Sequence, residues 1–377
     1  MIAAPEIDFV YSLTDGAIAV NNLESARQQS WSRFWQEPLR PAIAECIVEQ
    51  EQLAMQFLGD LGALDRLEIL VNHLDRVDSE SGRTALIHAQ VASMAHRFAD
   101  ARNYLAKAEA CGEFASVVNR LSLSVDQACG TGLETVLETR QRMVAESGRL
   151  EDLVPLGALR ADLREFDEAD RIYQRALREY KDTSPFGVAW VCFQFGVLWG
   201  ELVPEPQGTR AAQWYQKAIK CLPGYVKARV HLAEICLRSG RTAEAEALLI
   251  PAALTGDPEV SWRLAEVFAA MGRSAEAEEQ MRAAQSGFEV LLGKHLLTFA
   301  DHGAEFYSAS GNNAGRAFEL ARVNLANRPT LRAFEQAHNT ALTAGAYDAA
   351  SEILTDARKR WGDKTAFRLS PLAEYCA

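Results

Sequence analysis

The sequence predicts an all-α chain, an α-solenoid (superhelix) of about eight to nine stacked helix-turn-helix repeats with a capping helix at each end. Three observations predict it. Residues 240–252, GRTAEAEALLIPA, return 32 positions later as GRSAEAEEQMRAA at 272–284. One small–large–small stripe recurs six times, as Ala101/Leu105/Ala108, Ala169/Tyr173/Ala176, Ala211/Tyr215/Ala218, Ala245/Leu249/Ala252, Ala277/Met281/Ala284 and Ala350/Leu354/Ala357. The intervals cluster near one value: Ala211 to Ala245 is 34 residues, Ala245 to Ala277 is 32, and Ala101 to Ala169 is 68, or twice 34.

Taken in order, 1–40 is the least regular stretch and reads as an N-terminal capping segment. A helix over 22–35 would put Trp31 and Trp35 on one face, closed by Pro38 and Pro41. The solenoid is expected over 41–362. It opens with a helical pair at 42–58 and 62–74, joined around Gly59-Asp60, and the polar linker VDSESGR follows at 77–83. A degenerate unit turning at Gly130 fits the double interval, although Thr135 and Arg142 fall on its expected stripe. The insertion VPEPQG at 203–208 lengthens one pair, and Pro251 should kink the last turn of another. A weaker unit fills 297–329, and 363–377 reads as the closing cap.

The spacing has a physical basis. Alanines at every seventh position let a second helix press closely on its neighbours, while Leu, Tyr or Met fills the space between. Glycines at 240, 272, 311 and 345 end the first helix of a pair where a left-handed residue is needed. Thr242 and Ser274 then stand where an N-cap belongs, and Pro223 and Pro329 stop second helices.

These residues resemble the tetratricopeptide repeat family. The match rests on the pairs Leu156-Gly157, Phe195-Gly196, Leu232-Ala233 and Leu264-Ala265, the turn glycines, Phe166 and Tyr347 just after the turn, and the alanine stripe. It covers about 83–362.

Composition narrows the function. The chain has 377 residues with 51 acidic and 39 basic side chains, a net charge of −12, which argues against nucleic acid and against adsorption to an anionic membrane. Seven cysteines without CxxC or CxxH spacing read as reduced thiols, and a cytoplasmic address is the default expectation. There is no phosphate loop, GxSxG or HExxH, so no catalytic residue, metal site or cofactor is expected. His295 and His302 read as ordinary packing or surface histidines, and His338 as partly buried and hydrogen-bonded.

The resemblance implies that first helices line a concave groove. Carried along the phase of the turn glycines, it selects Trp190, Phe193 and Gln194; Lys227, His231, Glu234 and Arg238; Glu259, Trp262, Arg263 and Glu266; Asp301, His302 and Glu305; and Arg332, Glu335 and Asn339. Trp190, Phe193 and Trp262 would be apolar anchors, with Arg and Glu fixing orientation. Asn339 alone suits capture of a terminal carboxylate. Glu234, Glu266 and Glu305 would repel one, so a basic or neutral segment is the expected ligand.

The function expected is therefore a non-catalytic protein- or peptide-binding scaffold. An accessory subunit that presents a substrate to a separate enzyme, or senses a peptide signal, shares every feature. An enzyme with a helical-toroid site would need Glu266, Asp301, His302 and Glu305 to converge. Self-association through apolar solenoid ends is left open.

Overall fold

The computed structural model describes residues 12–112 and 115–376; the first eleven residues of the expected cap lie outside the described ones. Everything regular in them is helical, and no strand occurs among them. A capping helix α1 (Gly16–Gln36) precedes nine antiparallel pairs. These are α2 (Ile43–Leu58) with α3 (Ala63–Asp78), α4 (Gly82–Met94) with α5 (Phe98–Ala110), and α6 (Ala115–Ala128) with α7 (Leu133–Ser147). Next come α8 (Leu150–Asp162) with α9 (Phe166–Arg178), α10 (Pro185–Val197) with α11 (Gly208–Cys221), and α12 (Val226–Arg238) with α13 (Thr242–Leu249). The last are α14 (Pro258–Ala270) with α15 (Ser274–Lys294), α16 (Leu296–Ser308) with α17 (Ala314–Asn327), and α18 (Leu331–Thr343) with α19 (Tyr347–Trp361), followed by the short α20 (Thr365–Arg368).

The stripe does what its chemistry requires. Ala101, Ala169, Ala211 and Ala245 are fully buried, and Leu105, Tyr173, Tyr215 and Leu249 fill the space beside them. Gly157 and Gly196 explain themselves here: a Cβ on either would lie 2.4 or 2.3 Å from the ring of Tyr173 or Tyr215. Only a glycine lets that tyrosine seat against the first helix of its own pair. In the last pair the buried register is Ala350/Ile353/Ala357, one residue off the expected Leu354.

Several local expectations change. In the degenerate α6–α7 pair the buried face is Val136, Arg140 and Val144, not Thr135 and Arg142. The left-handed residue expected at Gly311 is Asn312, because Gly311 is pressed against Phe306. Thr242 and Ser274 are already inside their helices, capped by Arg241 and Arg273 without a side-chain bond. Pro251 ends α13 and the chain continues as a 3-10 helix, Ile250–Thr255. The insertion before Ala211 follows a wide π-helical turn, Leu198–Leu202, at the end of α10.

The cap is tied down by a buried carboxylate. Glu51 of α2, fully buried, accepts from Trp31 Nε1 at 2.8 Å, Arg27 Nη2 at 2.9 Å and Arg66 Nη2 at 2.7 Å. Burial alone would raise its pKa, but these bonds outweigh it and the pKa is lowered.

The solenoid winds far enough to touch itself. Turns joining the two helices of an early pair rest on loops between later pairs. Asp65 meets Lys294 at 2.6 Å and His295 at 2.8 Å, 229 and 230 residues on. Asn327 Nδ2 donates to the His96 carbonyl at 2.9 Å, and Arg360 Nη2 donates to the Gly130 carbonyl at 3.0 Å. Near the cap the same seam is apolar: Phe57 packs on Phe186 and Tyr225 with ring centroids 5.2 and 4.7 Å apart. Burying Phe57 there contributes about 2 kcal/mol.

Candidate binding channel

First helices α8, α10, α12, α14, α16 and α18 carry the polar side chains expected to face a groove, and most of those side chains are already engaged with one another or with the turns beside them. Two expected anchors are not available to a ligand. Trp262 is 2 % exposed, packed edge-on against Phe288 and Phe306, with its Nε1 donating to Glu266 at 2.8 Å. Phe193 is buried among Tyr215, Tyr225 and His231. The reason is helical register: both positions face the neighbouring pair, whose aromatic rings fill the space a ligand would need. Trp190 is half-buried against the same core.

The open face of Trp262 is covered by Arg263, whose guanidinium lies 3.6 Å from the ring centroid. Arg263 reaches three carboxylates at once: Glu234, Glu266 at 3.1 Å and Glu305 at 3.9 Å. Ser310 Oγ donates to Glu266 at 2.6 Å. Glu305 keeps 58 % of its side chain exposed. Burial of Glu234 raises its pKa despite Arg263 and His231 beside it.

His231 bonds Glu201 at 2.8 Å and lies 4.0 Å from Glu234. Burial opposes a charge on this imidazole, but the two carboxylates outweigh it and the pKa is raised. Glu201 also accepts from Tyr215 OH at 3.0 Å and lies 4.0 Å from Arg332. It sits in the π-helical turn of α10.

One pair further along, His302 is held between Glu259 and Asp301. Burial would lower its pKa, yet the two carboxylates push it up to about 9. Asp301 is lowered to about 2, because His302 and Arg328 outweigh its burial. Lys227 stands among the charges acting on this group. The two histidines expected to be ordinary packing or surface ones each meet a carboxylate, His295 hydrogen-bonding Asp65 at 2.8 Å and His302 pairing with Glu259. His338, expected to be partly buried and hydrogen-bonded, is more deeply buried, at 2 % exposed, with its ring on Tyr375; the Asn339 side chain hydrogen-bonds it, while Nδ1 has no partner.

Two further acids line the far side. Burial raises Asp162 to about 6 although Arg332 and Arg164 stand near, and it raises Glu335 although Arg164 bonds it at 2.6 Å. Asp162, Arg164, Glu201 and Arg328 were not selected from the sequence. A π-helical turn and contacts across a superhelical turn have no local spacing to reveal them. Arg238, Arg332 and Asn339 are exposed, and Gln194 is half-buried. No cluster of three or more metal-ligating side chains occurs among the described residues, and no helix there is long and apolar enough to cross a membrane.

Residues 207–261, covering α11 to the start of α14, match the tetratricopeptide repeat family profile. No curated protein matches the chain. Among solved structures, the Cut9–Hcn1 hetero-tetramer of APC/C is similar at 14 % identity and TM-score 0.47, over 94 % of this chain and 66 % of that one. This chain therefore spans just under two thirds of that neighbour's length. The apo quorum sensor NprR from B. thuringiensis is similar at 14 % identity and TM-score 0.43, over 91 % of this chain and 97 % of that one. Human IFIT1, solved as a dimer with m7Gppp-AAAA, gives 15 % identity and TM-score 0.42, over 93 % and 86 %.

Proposed function

We propose that this chain of tetratricopeptide repeats is a non-catalytic scaffold whose concave channel holds a segment of another protein, and that the segment carries lysine or arginine. The observation that carries the reading is the imbalance around Arg263: one guanidinium serves Glu234, Glu266 and Glu305, and the last remains mostly exposed. Asp162 and Glu335 add two carboxyls, and like Glu234 they hold their charge at a cost, since burial raises each. A cation on an incoming segment would relieve that cost, whereas a carboxylate would add to it. The exposed Arg332 and Asn339 can hold backbone carbonyls of the same segment.

Affinity would come from side-chain pairs and backbone bonds, because the aromatic anchors are inside the core. Binding should therefore weaken as salt rises. Titration of full-length protein with Lys/Arg-rich, neutral and acidic peptides at two salt concentrations tests this. Preference for the basic peptides, falling with salt, supports it; equal affinity for the acidic ones overturns it.

A further inference from the structure

The nine pairs are not equally cohesive. In α4–α5 the interface buries Leu86, Phe98 and Leu105 with a row of alanines, Ala85, Ala89, Ala92, Ala101 and Ala108. In α8–α9 it buries Leu153, Val154, Leu156, Ile172 and Tyr173. The α6–α7 pair between them buries only Val118, Leu123 and Val125 on one helix, and Val136, Arg140 and Val144 on the other. Its own apolar contact is small, Leu123 on Val136 beside Leu159 of α8. The larger clusters on either side reach into the pair only at Val118 and Val125 of α6 and at Val144 of α7.

The weak point is Arg140. It stands where the other second helices carry Leu105, Tyr173, Tyr215 or Leu249, and it is 4 % exposed. Its Nε has no partner, and the nearest bond is Nη2 to Ser124 Oγ at 3.4 Å. The nearest counter-charge, Asp152, is already engaged by Arg120 at 3.2 Å and Ser147 at 2.5 Å. A buried guanidinium without full compensation makes the closed pair costly.

Across the seam to α19–α20, α6–α7 is held by polar contacts at the surface and by a small apolar contact, Leu133 on the cluster around the buried Trp361. Arg360 donates to the Gly130 carbonyl, and Lys364 pairs with Glu134, itself 71 % exposed. Exposed pairs of this kind are worth about 0–1 kcal/mol each. Gly130 also touches the Trp361 ring, where a Cβ would lie 3.1 Å away. These contacts close the seam between α6–α7 and α19–α20.

We infer that the α6–α7 pair is a gate in the solenoid wall: it opens locally as a unit, parts from α19–α20 and widens the seam. The apolar Phe57 contact at the other end of the seam stays shut, so opening is a hinge and not a general loosening. That a bound segment enters by this route rests on the binding reading above; the opening itself does not.

Hydrogen–deuterium exchange on the full chain without ligand tests it. Amides of 115–147 should exchange about tenfold or more faster than those of 82–110 and 150–178. Arg140→Met, which keeps length and removes the charge, should slow that exchange toward its neighbours. Arg360→Ala with Lys364→Ala, both at the surface, should speed it further. Equal protection across the three pairs overturns the gate, as does exchange unmoved by either variant. Should Arg140→Met fail to fold, the surface double variant decides alone. If exchange behaves as stated and no basic peptide binds, the binding reading falls while the gate stands.

Discussion

Arg164 and Glu335 meet at 2.6 Å across 171 residues of sequence, both side chains 16 % exposed. Arg164 does this from a left-handed backbone, φ 64, at the turn between α8 and α9, where most of the other pairs use glycine. His96 occupies the equivalent turn of α4–α5 with φ 52, and its carbonyl takes the bond from Asn327. At both turns a strained non-glycine residue coincides with a contact to the next superhelical turn, and such strain persists only where surrounding structure holds it.

Arg164→Ala should lower the midpoint of thermal unfolding more than Arg164→Gly. Both lose the pair and leave Glu335 unpaired, at about 3–5 kcal/mol, but glycine also relieves about 1 kcal/mol of backbone cost. Adding Glu335→Gln to either variant should recover part of the loss. The opposite order of the two variants would show that Arg164 acts through something other than this pair.

Two histidines set opposite limbs of the pH profile. His302 has a folded pKa of about 9, above its ordinary 6.5, so its stabilisation is complete below 6.5 and lost as pH rises through 9. His96 has a folded pKa of about 4, lowered by burial and then by Arg328, so stability falls as pH drops from 6.5 toward 4. Thermal melts across pH 4 to 10 should show both limbs. His302→Gln should shrink the alkaline one, leaving the part that His231 contributes, and His96→Gly should shrink the acid one. A flat alkaline limb in the unmodified chain would refute the His302 assignment.

Arg263→Gln should strengthen binding of Lys/Arg-rich peptides while weakening the fold, because it frees Glu234, Glu266 and Glu305 and uncovers Trp262. Trp262→Ala should act differently, costing about 3–5 kcal/mol of stability as a core deletion. Isothermal titration beside thermal melts separates the two effects. Weaker peptide binding in Trp262→Ala with little loss of stability would return that indole to the channel surface.

Gly157→Ala and Gly196→Ala should each destabilise by about 1–3 kcal/mol, through overpacking against Tyr173 and Tyr215. In an open helix the same change would stabilise by about 1 kcal/mol, so the sign of the melting shift is the readout. Neutral or positive shifts would mean those tyrosines swing away freely.

The stacked pairs, their alanine stripe and most turn residues were legible because each depends on neighbours within one repeat of about 34 residues. Extending that phase picked Glu234 and Arg263, which pair with each other, and Asp301, which pairs with Arg328. Phe193 and Trp262 were misplaced, because a first helix is flanked on both sides and aromatic side chains go to whichever neighbour leaves room. Arg140 was passed over for the same reason: a one-residue shift in a degenerate repeat moves a charge from surface to core.

Sequence alone determined that helices form, pair and stack, since propensity, capping and the seven-residue stripe act over a few turns. Tertiary structure decided how tightly the stack winds, and so which residues 170 or 230 positions apart are neighbours. The angle between successive pairs is summed over the whole stack, and small packing differences in each interface accumulate. That sum placed Arg164 against Glu335 and set α6–α7, the least cohesive pair, against α19–α20.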